Sequence, residues 1–177
     1  MYKIDTNLKN NISSLTISEN DLRTTALCTV EGPVHSRNEN FDFLTVDVKW
    51  RSQDSKQGKY YSNILKSILE HFIIRELDLC RSICISIYVT GSPKFTFLSG
   101  VNVALIGLIN TGIPLKGMFY GIQNGDKVEI YDKNEKVFEH FLKEDGEING
   151  DLEDVNDLLR YTKEVINFNI TQQHTIS

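Results

Sequence analysis

The chain has 177 residues, of which 40% are hydrophobic and 24% charged, values that are ordinary for a soluble domain with a sizeable core. Its formal net charge of -5 argues against a protein that holds nucleic acid with a generally basic surface, so any nucleic-acid contact must be local. The N-terminus has no apolar run long enough for a signal peptide or a membrane span, and no repeat or linker divides the sequence. We therefore expect one intracellular domain over residues 1–177, without membrane association.

The reactive and metal-binding residue types give no recognisable constellation. Cys28, Cys80 and Cys84 lie in apolar, strand-like surroundings, which is typical of reduced thiols in the cytosol or nucleus. The four histidines are too scattered for a metal set, and no Ser, His and Asp spacing suggests a nucleophilic triad. No glycine-rich phosphate loop precedes a helix. The residues alone predict neither a metal nor a cofactor.

The first half of the chain is predicted to form strands around one helix. Residues 12–17 and 24–30 are rich in β-branched side chains and predict a hairpin, which we expect to end at Gly32-Pro33 because proline cannot donate to a ladder. Residues 41–51 alternate between apolar and polar, as in a half-buried strand. The polar residues 52–59 are predicted to be a loop, and the three- and four-residue apolar spacing that follows predicts an amphipathic helix.

The second half continues with a strand, a buried helix and a meander. Residues 81–90 alternate as a strand, and residues 95–110 are apolar nearly all round, which predicts a buried helix ending before Gly112. Three short strands should then form a meander, and a final amphipathic helix is predicted beyond Gly146. The predicted meander strands cover residues 115–120, 127–131 and 136–141, and the apolar stripe of the final helix covers residues 152–166.

Three local patterns in this order resemble the RNase PH family. Residues 30–34 read Val-Glu-Gly-Pro-Val, similar to the Gly-Pro segment after an early strand. Residues 101–105 read Val-Asn-Val-Ala-Leu and residues 110–115 read Asn-Thr-Gly-Ile-Pro-Leu, like the family's Asn-Ala-Ala helix and its Ala-Gly-Ile-Pro exit. The long helix at residues 60–76, followed by the next strand, is similar to the central helix of the family. The combination carries the resemblance, since each pattern alone also occurs as ordinary strand or helix ends.

The resemblance implies an α+β fold, the RNase PH-like domain (ribosomal protein S5 domain 2-like), with mixed β-sheets packed with α-helices. The short, single-domain chain is most similar to RNase PH-like ring subunits of the eukaryotic RNA exosome core that carry no added RNA-binding domain. The partners it implies are other RNase PH-like ring subunits and cap subunits, with single-stranded RNA passing through the ring channel. The location it implies is the nucleus, including the nucleolus, and the cytoplasm.

Active members of this family are phosphorolytic and hold phosphate with a segment reading Asp-Gly-Gly-Thr-Arg-Thr before the buried helix. Aligned without gaps, this chain has Ser92 at the acid, Phe95 and Phe97 at the two threonines, and Thr96 at the arginine. Lys94 offers one charge, but an ammonium group does not replace a guanidinium fork. We therefore expect a degenerate phosphate site, with no catalytic residue, metal or cofactor. The resemblance implies a second acidic cluster, but we interpret Asp132, Glu135 and Glu139 as solvated charges.

Four basic residues are our candidates for RNA contacts, because they are predicted to cluster on one strand face and the loop after it. They are Lys49, Arg51, Lys56 and Lys59. An ordinary solvated edge explains them equally well. Two other functions stay open beside the non-catalytic ring subunit: an active phosphorolytic 3'-5' exoribonuclease of the RNase PH family, and a scaffold domain unrelated to the exosome.

Overall fold

The computed structural model describes residues 2–7, 11–35, 42–51, 55–77, 79–125, 127–133 and 135–141. The predicted final helix at residues 152–166 lies outside this part of the chain. The described elements form a five-stranded sheet in the order β1-β2-β3-β5-β4, a three-stranded sheet in the order β6-β7-β8, and two helices, which confirms the α+β class. Their bounds are β1 Tyr2–Asn7, β2 Ile12–Glu19, β3 Leu22–His35, β4 Thr45–Arg51, α1 Ser55–Phe72, β5 Arg81–Gly91, α2 Thr96–Thr111, β6 Phe119–Asn124, β7 Lys127–Asp132 and β8 Glu135–Phe141.

One row of residues shows which face of the large sheet is buried. Cys28, Ile87 and Trp50 are neighbours on β3, β5 and β4, and all three are buried. Tyr61 of α1 packs against Trp50, and Gly107 of α2 packs against Cys28, so both helices cover this face. We call the opposite face of these strands the open face. Its side chains are those of Thr25, Leu27, Thr29 and Glu31 on β3, Ser82, Cys84, Ser86, Tyr88 and Thr90 on β5, and Thr45, Asp47, Lys49 and Arg51 on β4.

Helix α2 lies between the two sheets. All of its residues from Thr96 to Leu108 are buried, as its nearly continuous apolar sequence predicts. By length and composition alone, Pro93–Thr111 is one stretch of the described chain that could cross a membrane, but 78% of it is buried inside the fold, as in a core helix. The helix ends at Gly112, whose φ of 71° is the left-handed conformation typical of a C-terminal cap.

The predicted hairpin of β2 and β3 is confirmed, but its end was placed too early. β3 continues through Gly32-Pro33 to His35, because a bulge between Glu31 and Val34 takes up the residue that cannot donate a hydrogen bond. Gly32 has a φ of 112°, and a Cβ there would lie 2.6 Å from the carbonyl oxygen of Ser82. The glycine therefore allows β3 to continue beside β5.

Other elements also differ from the prediction, and β4 begins at Thr45 rather than at residue 41. Strand β1, for which we predicted nothing, pairs with β2 along its whole length. Helix α1 begins at Ser55, so the predicted loop at residues 52–59 is largely helical. Strand β6 begins at Phe119 rather than at residue 115, because the backbone of Pro114 and Lys116 is bonded to the end of α1: Ile74 N–H donates to Pro114 O at 3.0 Å, and Lys116 N–H donates to Phe72 O at 2.7 Å.

Candidate functional site

The segment between β5 and α2 carries the residues of the predicted degenerate phosphate site. The backbone of Ser92 is tied to the β2–β3 hairpin, since its N–H donates to Arg23 O at 3.0 Å and its carbonyl accepts from Thr24 Oγ1 at 2.9 Å. The Thr96 hydroxyl, at the position of the family's arginine, donates to the same Ser92 carbonyl at 3.3 Å. The backbone polar groups of Ser92 and the side-chain hydroxyl of Thr96 are thus bonded to groups of the protein itself.

Lys94 is the cation of this segment, and it has an anionic partner. Its Nζ lies 3.0 Å from Glu19 Oε2 at the end of β2, and its side chain is only 13% exposed. The same ammonium lies 4.8 Å from the centroid of the Phe95 ring. A half-buried charge held by a carboxylate and an aromatic face is already neutralised and oriented. It would have to leave both partners to meet a phosphate.

The two phenylalanines belong to the core. Phe97 is fully buried and forms an aromatic cluster with Trp50 and Tyr61, at centroid distances of 6.0 and 5.0 Å. Phe95 is also buried. Burial raises the pKa of the Tyr61 hydroxyl, which accepts a hydrogen bond from Gln57 Nε2 at 3.0 Å. The cluster anchors the start of α2 in an apolar environment, where an unpaired phosphate would be strongly disfavoured.

Asn102, from the family-like motif of α2, has a structural role. Its Nδ2 donates to Gly121 O at 3.1 Å, and its Oδ1 accepts from Gly121 N–H at 2.7 Å. The side chain is 1% exposed, so the amide pairs both backbone groups of one β6 residue inside the core. This clamp joins α2 to the small sheet. The motif pointed to Asn102, but only the structure identifies Gly121 as its partner.

The acidic residues near β7 are less solvated than expected. The carboxylate of Asp132 packs against Gly117, and its Oδ1 is buried. Glu139 lies 3.0 Å from Lys127 Nζ and 2.5 Å from Lys136 Nζ, and these hydrogen bonds lower its pKa, with Lys136 the larger cause. Glu135 alone of the three is exposed, as expected. The neighbours of Glu139 are therefore cations of the same sheet.

A buried carboxylate that the sequence did not single out lies beside them. Glu129 accepts from the Tyr131 hydroxyl at 2.8 Å and from Lys136 at 3.2 Å, and these contacts, the tyrosine first, lower its pKa. Within the described ranges no group of three His, Cys, Asp or Glu side chains could hold a metal ion. Glu129 and Glu139 are both paired with Lys136, and such pairs stabilise the surface of a sheet. Their oxygens are therefore engaged with a side-chain cation and do not form a set of free ligands for a metal ion.

The four RNA-contact candidates do not form one described patch. Lys49 and Arg51 are exposed together on the open face, and the Arg51 guanidinium carbon lies 5.4 Å from the centroid of the Tyr88 ring. Lys59 is exposed on α1, which covers the other face of the sheet. The prediction that all four share a strand face and a loop is wrong for Lys59, because residues 55–59 are helical. The side chain of Lys56 lies outside the described part.

No protein-family model matches the chain, and no curated protein matches it either. Among solved structures, rice (Oryza sativa) Rrp46 superposes with a TM-score of 0.67 at 17% sequence identity, covering 97% of this chain and 94% of Rrp46. A chain of an archaeal exosome core gives a TM-score of 0.57 at 11% identity, covering 94% of this chain and 83% of that chain. The chain has the RNase PH-like fold.

Within the RNase PH-like fold, the residues of the predicted phosphate site pack in the core or bond to other groups of the protein. Phe95 and Phe97 fill the core at the start of α2, while Lys94 is paired with Glu19. The fold prediction is confirmed, including the buried helix and the meander. The contact between Lys94 and Glu19 was missed, since the pair is far apart in sequence and only the hairpin brings the two side chains together.

Proposed function

We propose that this chain is a non-catalytic structural subunit of an exosome core ring, which supports 3'-5' RNA processing and degradation by helping to form the RNA channel. One observation carries the non-catalytic part: where active members of the family hold phosphate, this chain has two buried phenylalanines and a lysine engaged with Glu19. The likeness to rice Rrp46 and to an archaeal exosome core supports the ring part.

The chemistry of phosphorolysis explains why two buried phenylalanines and a paired lysine indicate a site without catalytic activity. Phosphate must be bound by several cationic or hydroxyl donors before it attacks the terminal RNA linkage. Lys94 is bonded to Glu19, and the Thr96 hydroxyl is bonded to the Ser92 carbonyl. Recruiting Lys94 would leave a carboxylate without its partner, and Phe95 and Phe97 offer no donor. The segment thus lacks a set of donors converging on one anion.

The proposed partners are other RNase PH-like ring subunits and cap subunits, with single-stranded RNA in the channel. The proposed location is the nucleus, including the nucleolus, and the cytoplasm, where an exosome core would act. A tagged copy should therefore recover RNase PH-like proteins when it is purified from its own cells. Absence of such proteins, with other partners in their place, would favour the unrelated scaffold domain.

The absence of phosphorolytic activity is tested separately with the purified chain. Single-stranded RNA, Mg²⁺ and inorganic phosphate are added, and release of nucleoside diphosphates is compared with a heat-inactivated control. We expect no release above that control. Phosphate-dependent release that is lost in Lys94→Ala would overturn the non-catalytic assignment and support the active exoribonuclease, whatever the purification from cells shows.

A further inference from the structure

The open face of the large sheet has an aromatic and basic row at its centre. Arg51 on β4 is the register neighbour of Tyr88 on β5, and Tyr88 is the neighbour of Leu27 on β3. Tyr88 is 38% exposed and Leu27 is 41% exposed, although both are large side chains in the middle of a sheet. Among the described elements, both helices pack on the other face. Within the described part of the chain, this row is therefore a surface accessible to a ligand.

Hydroxyl groups flank the row on both sides. Ser86 and Thr29 form the next pair toward one end of the strands, and Thr90 and Thr25 form the next pair toward the other end. All four are at least partly accessible. Such groups donate and accept hydrogen bonds with rotatable geometry, which suits base edges, sugar hydroxyls and phosphates alike.

The charges on this face are segregated along the strands. Lys49 and Arg51 are exposed on the same side of β4, two residues and therefore about 7 Å apart. The acidic residues Asp47 and Glu31 both lie beside Cys84, beyond the pair of Ser86 and Thr29. In a protein with net charge -5, the local positive charge next to Tyr88 is distinctive. An anionic chain would be attracted to the end of the face that bears Arg51.

We propose that Tyr88, Arg51, Lys49 and Leu27 form a binding platform for a short stretch of single-stranded RNA. One base stacks on the exposed Tyr88 ring, with Leu27 extending the apolar surface beneath it. Arg51 and Lys49 contact successive phosphates of the extended strand. Lys49 and Arg51 are two of the four RNA-contact candidates from the sequence, and the platform adds Tyr88 and Leu27 beside them. It goes beyond the proposed ring role by assigning RNA to one face of the large sheet, and it requires neither catalysis nor assembly.

A protein partner on this face is the alternative, and two observations favour RNA. Only two large apolar side chains are exposed in the row, surrounded by hydroxyls and charges, whereas the buried centres of stable protein interfaces are more apolar and poorer in charge. The pairing of one exposed aromatic ring with adjacent cations matches what single-stranded nucleic acid requires: a surface for base stacking and charges along the backbone.

The test measures binding of a fluorescent single-stranded oligoribonucleotide to the full chain by anisotropy at several salt concentrations. Tyr88→Ala should weaken binding about tenfold, while Tyr88→Phe, which keeps the stacking surface, should bind like the original protein. Arg51→Gln should weaken binding and reduce the slope of log affinity against log salt by about one ion. The matched control is Lys133→Gln, which removes the same charge from the exposed turn between β7 and β8 and should change neither quantity.

The outcomes separate the platform from the ring role. No RNA binding at low salt, or an equal effect of Tyr88→Ala and Lys133→Gln, would overturn the platform. RNA binding that is unaffected by Tyr88→Ala, together with loss of co-purifying RNase PH-like proteins in that variant, would also overturn it and make the face a protein interface. If the platform variants behave as expected but no ring subunit co-purifies, only the proposed ring function fails. All substituted positions are exposed, and a thermal melt of each variant confirms that it is folded.

Discussion

At the scale of single residues, the core satisfies one polar side chain and leaves another without a partner. Both atoms of the Asn102 amide are bonded to Gly121, so a helix and a strand are joined by two hydrogen bonds inside the core. Asn110, two turns further along α2, has both amide atoms buried without a hydrogen-bond partner. The same residue type in one helix therefore has opposite energetic roles, which makes the two positions a matched pair.

We expect Asn102→Leu to lower the free energy of unfolding by about 2–4 kcal/mol, because two buried backbone groups of Gly121 lose their partners. Asn110→Leu should be neutral or stabilising, since it replaces an amide that makes no hydrogen bond with an apolar group of similar size. Urea unfolding followed by circular dichroism measures both. Equal destabilisation by the two substitutions would show that the clamp contributes nothing specific.

The thiols give a second prediction at this scale. Burial raises the pKa of Cys28 to about 12, while Cys80 and Cys84 are only half-buried. The reactive form is the thiolate, so Cys28 should resist alkylation near neutral pH as long as the protein is folded. Mass spectrometry after maleimide treatment should find label on Cys80 and Cys84 first, and on Cys28 only after urea is added. Early label on Cys28 would contradict its place beneath α2.

At the scale of elements, α2 depends on small residues where it meets the large sheet. A Cβ on Gly107 would lie 2.6 Å from Cys28 Sγ, and one on Gly100 would lie 1.9 Å from the Trp50 ring. Both distances are shorter than any ordinary contact. The glycines lower the helix propensity of α2 by about 1 kcal/mol each, and the close approach to β3 and β4 that they permit offsets this cost.

Gly107→Leu should therefore destabilise the protein by about 1–3 kcal/mol or more, or make it insoluble, because the larger side chain displaces Cys28 and Val30. The control is Lys59→Leu, which adds a leucine on the exposed side of α1 and should change the free energy of unfolding by less than about 0.5 kcal/mol. Thermal melts of both variants are compared. A neutral Gly107→Leu beside a disruptive Lys59→Leu would mean that α2 is not the central buried helix.

Element types were predictable from the sequence, while some boundaries were not. The alternation of Ile83, Ile85 and Ile87 and the apolar run of α2 follow directly from burial, which is why both elements were predicted correctly. The end of β3 and the start of β6 depend on tertiary pairing: a bulge beside β5 in one case, and hydrogen bonds to the end of α1 in the other. The local sequence of β3 or β6 does not indicate which distant segment it will pair with, so neither boundary could be predicted from it.

At the scale of the whole molecule, the candidate site depends on contacts between distant segments. The sequence identified Phe95, Thr96 and Phe97 through a motif alignment, but the pairing of Lys94 with Glu19 requires the folded hairpin. Lys49 and Arg51 were predicted to share a face because they are two residues apart on a strand. Tyr88 was not predicted, because only the parallel pairing of β4 with β5 brings it beside Arg51.

One end of the large sheet exposes several large apolar side chains. Val34 lies near the end of β3 beside Ser82, Phe43 precedes β4, and Leu77 and Leu79 lie in the connection before β5. Their exposed fractions lie between 42% and 67%. Grouped apolar side chains at a surface favour association, since covering them removes apolar area from water. A partner protein that covers this end would therefore stabilise the folded chain, as the proposed ring role requires.

We expect purified RNase PH-like neighbours to raise the melting temperature of this protein. A partner that binds only the folded state at 100 times its dissociation constant adds about 2.7 kcal/mol of stability, which corresponds to a rise of about 5–10 °C for a domain of this size. Scanning fluorimetry with labelled chain and increasing partner concentration measures the shift, and an unrelated protein at equal concentration is the control. Leu77→Ser should reduce the shift without lowering the melting temperature of the isolated chain, because this side chain is 67% exposed there. A monodisperse monomer whose melting is unchanged by every candidate neighbour would count against the ring role.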